Sequence, residues 1–414
     1  MVLARDTRPS GEELALAAAE GLLETGCIAV DLGMCSTPAA KLMVIELGAA
    51  AGIILTASHN PAPWNGLKLV RADGVFLNAT QGARIEAAYH AEVRVKRGGG
   101  RLEQVSGDEV GERYLDRVVS AVDVECIRDA SLTVAADPCN GAGALLLPQL
   151  FERLGVTATI VNAEPDGNFA HEPEPIPENL LQLGDAVREN ADAVVGFAVD
   201  PDADRVALVA GDGLPIGEDY TLALAVDAVA SSDAHPGPVV TTLSTSQIVS
   251  DAAARSGRRV ILTPVGEVHV VEKMLETEAA IGGEGNGGVI LTEVVPGRDA
   301  ALGIALVLQR LATAGQSLSA LVAQWPRYAI EKRKVSGCTA AQLAHAVDAL
   351  RQEHPQAFVH PAQDGVKLYL SGQLECPWVH LRASNTEPVV RIIAEAATAQ
   401  EASNLAAASE VLLG

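Results

Sequence analysis

The sequence predicts an α/β protein with three consecutive α/β domains and a smaller α+β domain at the carboxyl end. A β-α-β-α-β succession of apolar strands and helices occurs three times, and each copy ends in a loop of polar or glycine residues. From about residue 328 the succession stops, and strand-like segments come with only two helices. Helices between strands indicate parallel pairing with right-handed crossovers, whereas the tail suits an antiparallel sheet. We therefore expect three mixed sheets and one antiparallel sheet.

Hydrophobic periodicity and turn residues set the predicted elements. In the first copy they are strands at 2–4, 27–32 and 51–55, with helices at about 11–25 and from 37. In the second they are strands at 132–136, 157–161 and 193–199, with helices at 142–154 and up to about 190. In the third they are strands at 238–243, 259–262 and 279–281, with helices at 247–255 and 268–275. In the tail the strands are 330–335, 366–370, 378–382 and 389–394. The predicted domains are 1–110, 111–213, 214–325 and 326–414.

Composition excludes several classes of function. The formal charge of -23 over 414 residues argues against general affinity for nucleic acid or acidic membranes, so an anionic substrate needs a local basic pocket. The six cysteines include no C-x-x-C pair, which predicts reduced thiols rather than disulfides or a zinc site. The sequence shows no signal peptide and no apolar segment long enough to span a bilayer. We therefore expect a cytoplasmic protein with no membrane partner.

The first loop presents Ser58 directly after a buried strand, with His59 beside it. Pro61 disfavours helical geometry at Asn60, so the chain turns there. Ligands of open α/β sheets bind at the carboxyl ends of strands, which makes Ser58 a candidate nucleophile. No G-x-S-x-G motif surrounds it, so an α/β-hydrolase has little support. Taken alone, such a serine is more often structural than nucleophilic.

The second loop carries three aspartates at alternate positions, Asp200, Asp202 and Asp204. Three carboxylates on one loop suit Mg²⁺, although a charged surface turn is the alternative. An EF-hand is excluded, because Arg205 and Gly211 stand where that loop needs Gly and Glu. Arg205 also argues against an aspartate nucleophile of the haloacid-dehalogenase type.

A serine facing a Mg²⁺ loop is a plausible carrier of a phosphoryl group. The metal would neutralise phosphoryl oxygens while a nearby cation such as Lys68 stabilises the attacking or leaving oxygen. Ser58 would then transfer phosphate rather than an acyl group.

Two further loops have donors and acceptors suited to a sugar phosphate. In the glycine loop 282–288, Glu284 and Asn286 suit sugar hydroxyls, although an ordinary turn is an equal alternative. The last domain has a compact set of donors that matches a phosphate dianion, namely Arg382, Ser384, Asn385, Thr386 and Arg391. Four such loops, one in each predicted domain, are a far stronger signal together than apart.

The four loops resemble the signature loops of the α-D-phosphohexomutase superfamily, in the same order and over essentially the whole chain. The matching segments are Thr56-Ala-Ser-His-Asn-Pro61, Asp200-Pro-Asp-Ala-Asp-Arg205, Gly283-Glu-Gly-Asn-Gly287 and Arg382-Ala-Ser-Asn-Thr-Glu-Pro388. The resemblance implies a four-domain enzyme whose loops meet in a central cleft. It also implies one Mg²⁺ per chain and a hexose 1,6-bisphosphate activator.

The resemblance implies a role for each residue. Ser58 would carry the phosphate and, with the three aspartates, hold Mg²⁺, while His59, Lys68 and Arg205 would assist the transfer. Glu284 and Asn286 would select the sugar, and the Arg382 loop with Arg391 would hold the phosphate that does not react. A hexose 6-phosphate and a hexose 1-phosphate would interconvert through a bound 1,6-bisphosphate.

The sugar is predicted from finer resemblance. The segment Gly-Glu-Gly-Asn-Gly-Gly, with Val265-Gly-Glu267 upstream, is similar to phosphoglucosamine mutases of archaea and some bacteria. This favours glucosamine phosphate over mannose or glucose phosphate. We expect Glu267 or Glu284 to pair with the ammonium of the amino sugar.

One departure from the family leaves alternatives open. Family members begin with a segment containing a Gly-Ile-Arg-Gly motif, whereas this sequence begins at the following strand. We therefore expect a truncated first domain with an unpaired sheet edge. A catalytically impaired sugar-phosphate-binding homologue is one alternative, and a Mg²⁺-dependent phosphatase is another. The expected partner is a small sugar phosphate. A homodimer is one expected oligomeric state. The sequence does not identify the general base.

Overall fold

The computed structural model describes residues 1–230, 235–360, 364–383 and 389–413, and these form four sheets. Ser384, Asn385 and Thr386, predicted to bind phosphate, lie outside the described residues. Within the described ranges, every helix is too short or too polar to cross a lipid bilayer. The four sheets confirm the predicted fold class.

The first sheet has the order β4-β3-β1-β2-β5 and is parallel except for β4. Its strands are β1 (Val2–Arg5), β2 (Ile28–Met34), β3 (Ala51–Leu55), β4 (Leu67–Arg71) and β5 (Arg101–Gln104). The accompanying helices are α1 (Gly11–Glu24), α2 (Thr37–Glu46) and α3 (Ala79–His90). The predicted parallel set of three strands is present, and β4 and β5 are additions that the sequence did not predict.

The second and third sheets repeat this plan with four strands each. The second unit contains α4 (Gly107–Ser120), α5 (Val124–Asp129), β6 (Thr133–Asp137), α6 (Gly143–Leu154), β7 (Thr157–Ile160), α7 (Leu181–Glu189), β8 (Ala193–Val199) and β9 (Val206–Ala210). The third contains α8 (Asp219–Ala230), β10 (Val239–Thr242), α9 (Gln247–Arg255), β11 (Val260–Thr263), α10 (Glu267–Thr277), β12 (Ile281–Glu284), β13 (Gly288–Ile290), α11 (Ala300–Ala314) and α12 (Leu318–Val322).

In each of these three sheets one parallel strand turns back into an antiparallel edge strand. These hairpins are β3–β4, β8–β9 and β12–β13. Each predicted loop is therefore held at both ends by paired strands, which fixes it more firmly than a strand-to-helix connection would.

The glycine loop is shorter than predicted. Residues 282–284 belong to β12 and Gly288 belongs to β13, so only 285–287 form the turn. Gly287 has φ +85°, and a Cβ there would lie 2.4 Å from the carbonyl oxygen of Val206. The glycine is needed because this turn passes against the second sheet, not because the loop is long.

The last domain is an antiparallel sheet with two helices, as predicted. The order is β14-β18-β17-β16-β15. Its elements are β14 (Ala329–Ser336), α13 (Ala340–Glu353), β15 (Phe358–His360), β16 (Val366–Tyr369), β17 (Trp378–Ala383), β18 (Val389–Ala396) and α14 (Ala399–Leu413). The short strand β15 was not predicted.

The first three units share one apolar core, and the last domain has a separate one. One continuous cluster of buried side chains runs through the first three units, from Val2 to Trp325. The last domain has a separate cluster that includes Leu350, Leu368 and Ile392. The first three units therefore pack as one body, and the last domain has its own core.

Polar contacts join the last domain to the third unit. Ser244 Oγ lies 3.0 Å from His380 Nδ1, and the Lys367 ammonium donates to the Leu243 carbonyl at 2.7 Å. The backbone N–H of Val265 donates to Asp364 at 3.0 Å. Because charged and titratable groups hold this junction, its stability should depend on pH.

We expect His380 to contribute to that dependence. Its side chain is fully buried, and burial lowers its pKa to about 4. The unfolded chain takes up a proton near pH 6.5 whereas the folded chain does not, so stability is lost as the pH falls from 6.5 towards 4. Replacing His380 with Gln should shrink the difference in unfolding free energy between pH 7 and pH 5 by about 2 kcal/mol.

Urea unfolding at both pH values measures this difference directly. His345→Gln is the matched control, because His345 is exposed on α13. An unchanged pH 7 to pH 5 difference in a folded His380→Gln protein would contradict the assignment.

Candidate active site

The predicted nucleophile Ser58 lies at the turn after β3 in a constrained conformation. Its φ is +50°, unusual for a residue with a side chain, and the residue is 7% exposed. Its hydroxyl donates to Asp200 Oδ2 at 2.9 Å, and its N–H donates to Thr56 Oγ1 at 2.9 Å. The first and second loops therefore meet at this serine.

A buried arginine that the sequence analysis did not select holds the serine loop. The Arg8 guanidinium donates to four backbone carbonyls of that loop, at 2.6 to 2.9 Å, those of Ser58, Asn60, Pro61 and Trp64. Its Nε donates to Asp6 at 3.0 Å, and Asp6 also accepts from the Thr56 hydroxyl at 2.6 Å. Arg8 is 1% exposed, so these contacts replace water completely. The unusual backbone at Ser58 follows from this clamp.

The aspartate loop forms the carboxylate cluster that the sequence predicts. Ligand atoms of Asp200, Asp202 and Asp204 lie within 4.8 Å of one another, and all three side chains are buried. Oδ1 of Asp202 and Oδ1 of Asp204 have no hydrogen-bond partner among the described residues. Buried carboxylate oxygens without partners are costly unless a cation binds them. The three residues therefore fit a hard divalent cation such as Mg²⁺.

The protonation of the cluster depends on its cations. Burial and the two neighbouring carboxylates raise the pKa of Asp200 well above its ordinary value. Burial alone would also raise the pKa of Asp204, but Arg298, Lys68 and Arg205 lower it below its ordinary value. Asp204 is therefore firmly ionised at neutral pH.

Lys68 lies on β4 and contacts the aspartates. Its ammonium is 2.5 Å from Asp202 Oδ2 and 3.2 Å from Asp204 Oδ2. Burial opposes its charge, but these two carboxylates raise its pKa above the ordinary value, so it is a cation at neutral pH. Thr37 also donates to Asp202 Oδ2, at 2.5 Å. The first unit thus supplies a serine, a lysine and a threonine to the carboxylate loop of the second.

The third loop adds a carboxylate that is already bound on both oxygens. Glu284 accepts from the Gly266 N–H at 3.0 Å and from Arg298 Nη1 at 2.9 Å. The side-chain oxygen of Asn286 lies 3.3 Å from the Gly288 N–H. Glu267, predicted to touch the sugar, contacts the Lys41 ammonium and lies 3.2 Å from Arg298 Nε.

A cavity of about 540 Å³ opens beside these loops. Its walls come from all four domains and include His59, Arg205, Glu284, Asn286, Arg382 and Arg391 of the predicted residues. Ser58, Lys68, the three aspartates and Glu267 are not part of this lining. The structure thus brings six of the predicted residues to one cavity, and two of them, His59 and Arg205, directly follow Ser58 and Asp204 in the chain.

The cavity wall is cationic in a chain that is strongly anionic overall. Among the described residues that line it, the Lys and Arg residues with side chains available to the cavity are Arg205, Arg298, Lys332, Lys334, Arg382 and Arg391, whereas its carboxylates are Glu174, Asp219 and Glu284. Arg333 also lies in the wall, but its guanidinium donates to Glu410. Arg391 pairs across the sheet with Lys334 on one side and with Arg382 on the other. Like charges directly opposite are unfavourable in a sheet, so this row of three cations indicates an anion site.

His59 lies at the cavity edge. Its Nε2 is 4.0 Å from a carboxylate oxygen of Glu174. Burial and the nearby Arg205 lower its pKa, so the imidazole is neutral at pH 7 and can accept a proton.

Arg8, Arg298 and Lys334 were not predicted. Arg8 follows the carboxyl end of the central strand β1, so the rule that selected Ser58 could also have selected it. Arg298 and Lys334 have no such signal, because their importance depends on neighbours from other units.

Comparison with known proteins agrees with this arrangement. Four phosphoglucomutase/phosphomannomutase domain families match the chain: alpha/beta/alpha domain I at residues 1–96, domain II at 112–213, domain III at 217–328 and the C-terminal domain at 332–410. A phosphoglucomutase/phosphomannomutase from Thermococcus kodakarensis is 36% identical over 97% of this chain and 87% of its own length. A phosphoglucosamine/phosphogalactosamine mutase from Sulfurisphaera tokodaii is 31% identical over 98% of this chain and 89% of its own.

A solved structure shows the same fold. The phosphoglucomutase/phosphomannomutase family protein from Burkholderia thailandensis superposes with a TM-score of 0.83 at 27% identity, covering 100% of this chain and 88% of that one. The family matches extend over all four domains, and the relatives are mutases. The chain is therefore an enzyme of the phosphoglucomutase/phosphomannomutase family, within the α-D-phosphohexomutase superfamily.

Proposed function

We propose that this phosphohexomutase interconverts a hexose 6-phosphate and a hexose 1-phosphate through phosphorylated Ser58 and a bound 1,6-bisphosphate. The hydrogen bond from Ser58 to the carboxylate cluster, beside a cationic cavity, is the observation that carries the proposal. A hydroxyl next to a cation-binding cluster can hold a phosphoryl group, and a cationic wall can hold a second phosphate.

In the first half of the reaction, the free hydroxyl of the sugar attacks the phosphorus on Ser58. A P–O bond forms to the sugar, the P–O bond to Ser58 breaks, and the sugar hydroxyl loses its proton, while the leaving Ser58 Oγ takes up a proton and becomes a hydroxyl again. His59, neutral and at the cavity edge, is our candidate acceptor of that proton. Lys68 and Arg205 stabilise charge on the transferring oxygens. Mg²⁺ held by Asp200, Asp202 and Asp204 would supply electrostatic stabilisation there.

In the second half, the bisphosphate presents its other phosphate to Ser58 and the bonds change in reverse. Arg382, Arg391 and Lys334 hold the phosphate that does not react, and we assign Ser384, Asn385 and Thr386 to the same task. One pocket must accept the sugar in two orientations. Because the last domain has its own core, it can move to let the bisphosphate reorient without disturbing the packing of the other three domains.

For the sugar, we favour glucosamine phosphate, with glucose or mannose phosphate as the alternative. The Sulfurisphaera tokodaii relative supports the amino sugar, and the Thermococcus kodakarensis relative supports the neutral hexoses. A hexose 1,6-bisphosphate would act as activator by loading Ser58.

Intact-mass measurement tests this function. Incubation with glucosamine 1,6-bisphosphate and Mg²⁺ should add one phosphoryl group, which peptide mapping should place on Ser58. The phosphorylated protein should then equilibrate glucosamine 6-phosphate with glucosamine 1-phosphate, followed by phosphorus NMR. A phosphatase would instead release inorganic phosphate steadily, and an inactive homologue would bind the sugar without gaining mass. Either result would overturn the proposal.

A further inference from the structure

Two carboxylates of the aspartate loop have one oxygen occupied by protein donors and the other oxygen turned away from them. Asp202 Oδ2 accepts hydrogen bonds from Thr37 and Lys68, each at 2.5 Å. Asp204 Oδ2 accepts from Arg298 at 2.7 Å and from Lys68 at 3.2 Å. Oδ1 of each carboxylate is buried and has no hydrogen-bond partner among the described residues. Each carboxylate therefore offers a cation one oxygen rather than two.

The carboxylate of Asp200 is divided in the same way. Its Oδ1 accepts the backbone N–H groups of Asp204 and Arg205, at 3.1 and 3.0 Å, whereas its Oδ2 accepts the Ser58 hydroxyl at 2.9 Å. A phosphoryl group on Ser58 would replace that hydroxyl proton and leave Oδ2 to the cation. Arg205 Nε lies 3.6 Å from Asp204 Oδ1, which is beyond hydrogen-bond distance. The cluster thus presents one oxygen from each of three carboxylates.

Ligation through single oxygens distinguishes between the two common hard divalent cations. Ca²⁺ takes about six to eight oxygen ligands and often binds a carboxylate through both oxygens. Mg²⁺ is smaller, needs octahedral geometry, and keeps several waters beside one or two carboxylates. A cluster whose carboxylates each have one oxygen occupied therefore favours Mg²⁺, because it denies Ca²⁺ the second oxygen.

Arg298 occupies the second oxygen of Asp204, and its own position is fixed by other contacts. Its Nη1 lies 2.9 Å from Glu284 Oε2, and its Nε lies 3.2 Å from Glu267 Oε2. A Cβ at Gly288 would lie 2.3 Å from Arg298 Cδ, so the glycine makes room for this side chain. Arg298 is 8% exposed, and its planar guanidinium cannot turn towards one carboxylate without leaving another. Asp204 is therefore held in one orientation.

We propose that Arg298 makes the aspartate cluster selective for Mg²⁺ over Ca²⁺, because it occupies one oxygen of Asp204 and prevents ligation through both. Lys68 and Thr37 do the same for Asp202. Arg298 acts through a metal ligand, so it is a positioning residue. The inference deepens the proposed function and rests on it, because the cation is the one assigned to phosphoryl transfer.

Calorimetric titration with MgCl₂ and with CaCl₂ tests this selectivity without turnover, in about 0.15 M KCl to screen weak sites on the anionic surface. In the unphosphorylated wild type, the dissociation constant for Ca²⁺ divided by that for Mg²⁺ should exceed one. Arg298→Met releases Asp204 Oδ2, so this ratio should fall by about tenfold. The lost positive charge affects both divalent cations to a similar extent, so the ratio reports geometry. A wild-type ratio below one, or an unchanged ratio in Arg298→Met, would overturn the inference.

Two further variants separate ligation from general damage to the site. Asparagine has a single side-chain oxygen, so Arg298→Met combined with Asp204→Asn should return the ratio towards the wild-type value, although both affinities fall. Lys332→Met is the matched control, because it removes a cation of the cavity wall that pairs with Glu218. It should leave the ratio unchanged. A ratio that stays low in the double variant, or falls as far in the control, would count against Asp204 as the carboxylate released and overturn the inference.

A crystal structure of the wild type grown with CaCl₂ keeps the inference testable if Arg298→Met does not fold. Each aspartate should bind Ca²⁺ through one oxygen, and ligation through both oxygens of Asp204 would overturn the inference. The proposed function fails separately, if the wild type with Mg²⁺ neither isomerises a hexose phosphate nor becomes phosphorylated on Ser58.

Discussion

Replacing Ser58 with Ala should abolish mutase activity, with a loss in kcat of at least about a thousandfold. The hydroxyl is the group we expect to carry the phosphoryl group, and no other side chain can take over a covalent step at that position. The change removes one hydrogen bond, to Asp200, and leaves the Arg8 clamp on the loop carbonyls intact. Folding should therefore survive, and the melting temperature should move by only a few degrees.

The measurement combines a coupled mutase assay with intact mass after exposure to the bisphosphate. The variant should gain no phosphoryl group and should still bind the sugar phosphate, because the cationic wall is untouched. Ser106→Ala is the control, since Ser106 caps α4 and is not part of the cavity lining. Substantial activity in a folded Ser58→Ala protein would contradict the phosphoserine.

Replacing Arg8 with Met should have the largest combined effect on stability and rate. Asp6 would be left as a buried unpaired carboxylate, and four loop carbonyls would lose their donor. Removing one partner of a buried ion pair costs about 3–5 kcal/mol. Because a displacement of about 1 Å at a reacting group can cost about a hundredfold, kcat should fall by about that factor with little change in KM.

Arg8→Lys distinguishes positioning from stability. The ammonium keeps the charge beside Asp6, so the unfolding free energy should recover in part, but it cannot serve four carbonyls and kcat should stay low. Urea unfolding and the rate of Ser58 phosphorylation measure the two effects. Arg5→Met is the control, because Arg5 is the last residue of β1, the strand that leads to Arg8. A wild-type phosphorylation rate in Arg8→Lys would show that the clamp does not position Ser58.

The sequence predicted the fold and the main groups of the site because both depend on local signals. Alternation of strands and helices gave three sheets, and Asp200, Asp202 and Asp204 meet because their spacing lies within one turn. The close approach of Ser58 to these aspartates followed from resemblance rather than from spacing, since 142 residues separate Ser58 from Asp200.

What the sequence could not predict is which charges compensate one another. In the sequence, Glu267 and Glu284 have no evident cationic partner. In the fold, Lys41 and Arg298 pair with Glu267, and Arg298 also pairs with Glu284. The antiparallel strand β4, which carries Lys68 to the aspartates, was also missed, although Lys68 itself was predicted to act beside the metal loop. Such pairings depend on how the three units dock, and periodicity within one unit carries no information about docking.

The hairpins that hold the first three loops have a consequence for the order of folding. Strands β8 and β9 are neighbours along the chain, so the aspartate turn can form early and locally. Its carboxylates stay hydrated until the first and third units bring Lys68 and Arg298 to them. Removing that water is favourable only when both cations pair with the carboxylates. The aspartate cluster should therefore become buried late in folding and cooperatively. A partly assembled chain would then expose a hydrated carboxylate turn and no competent nucleophile.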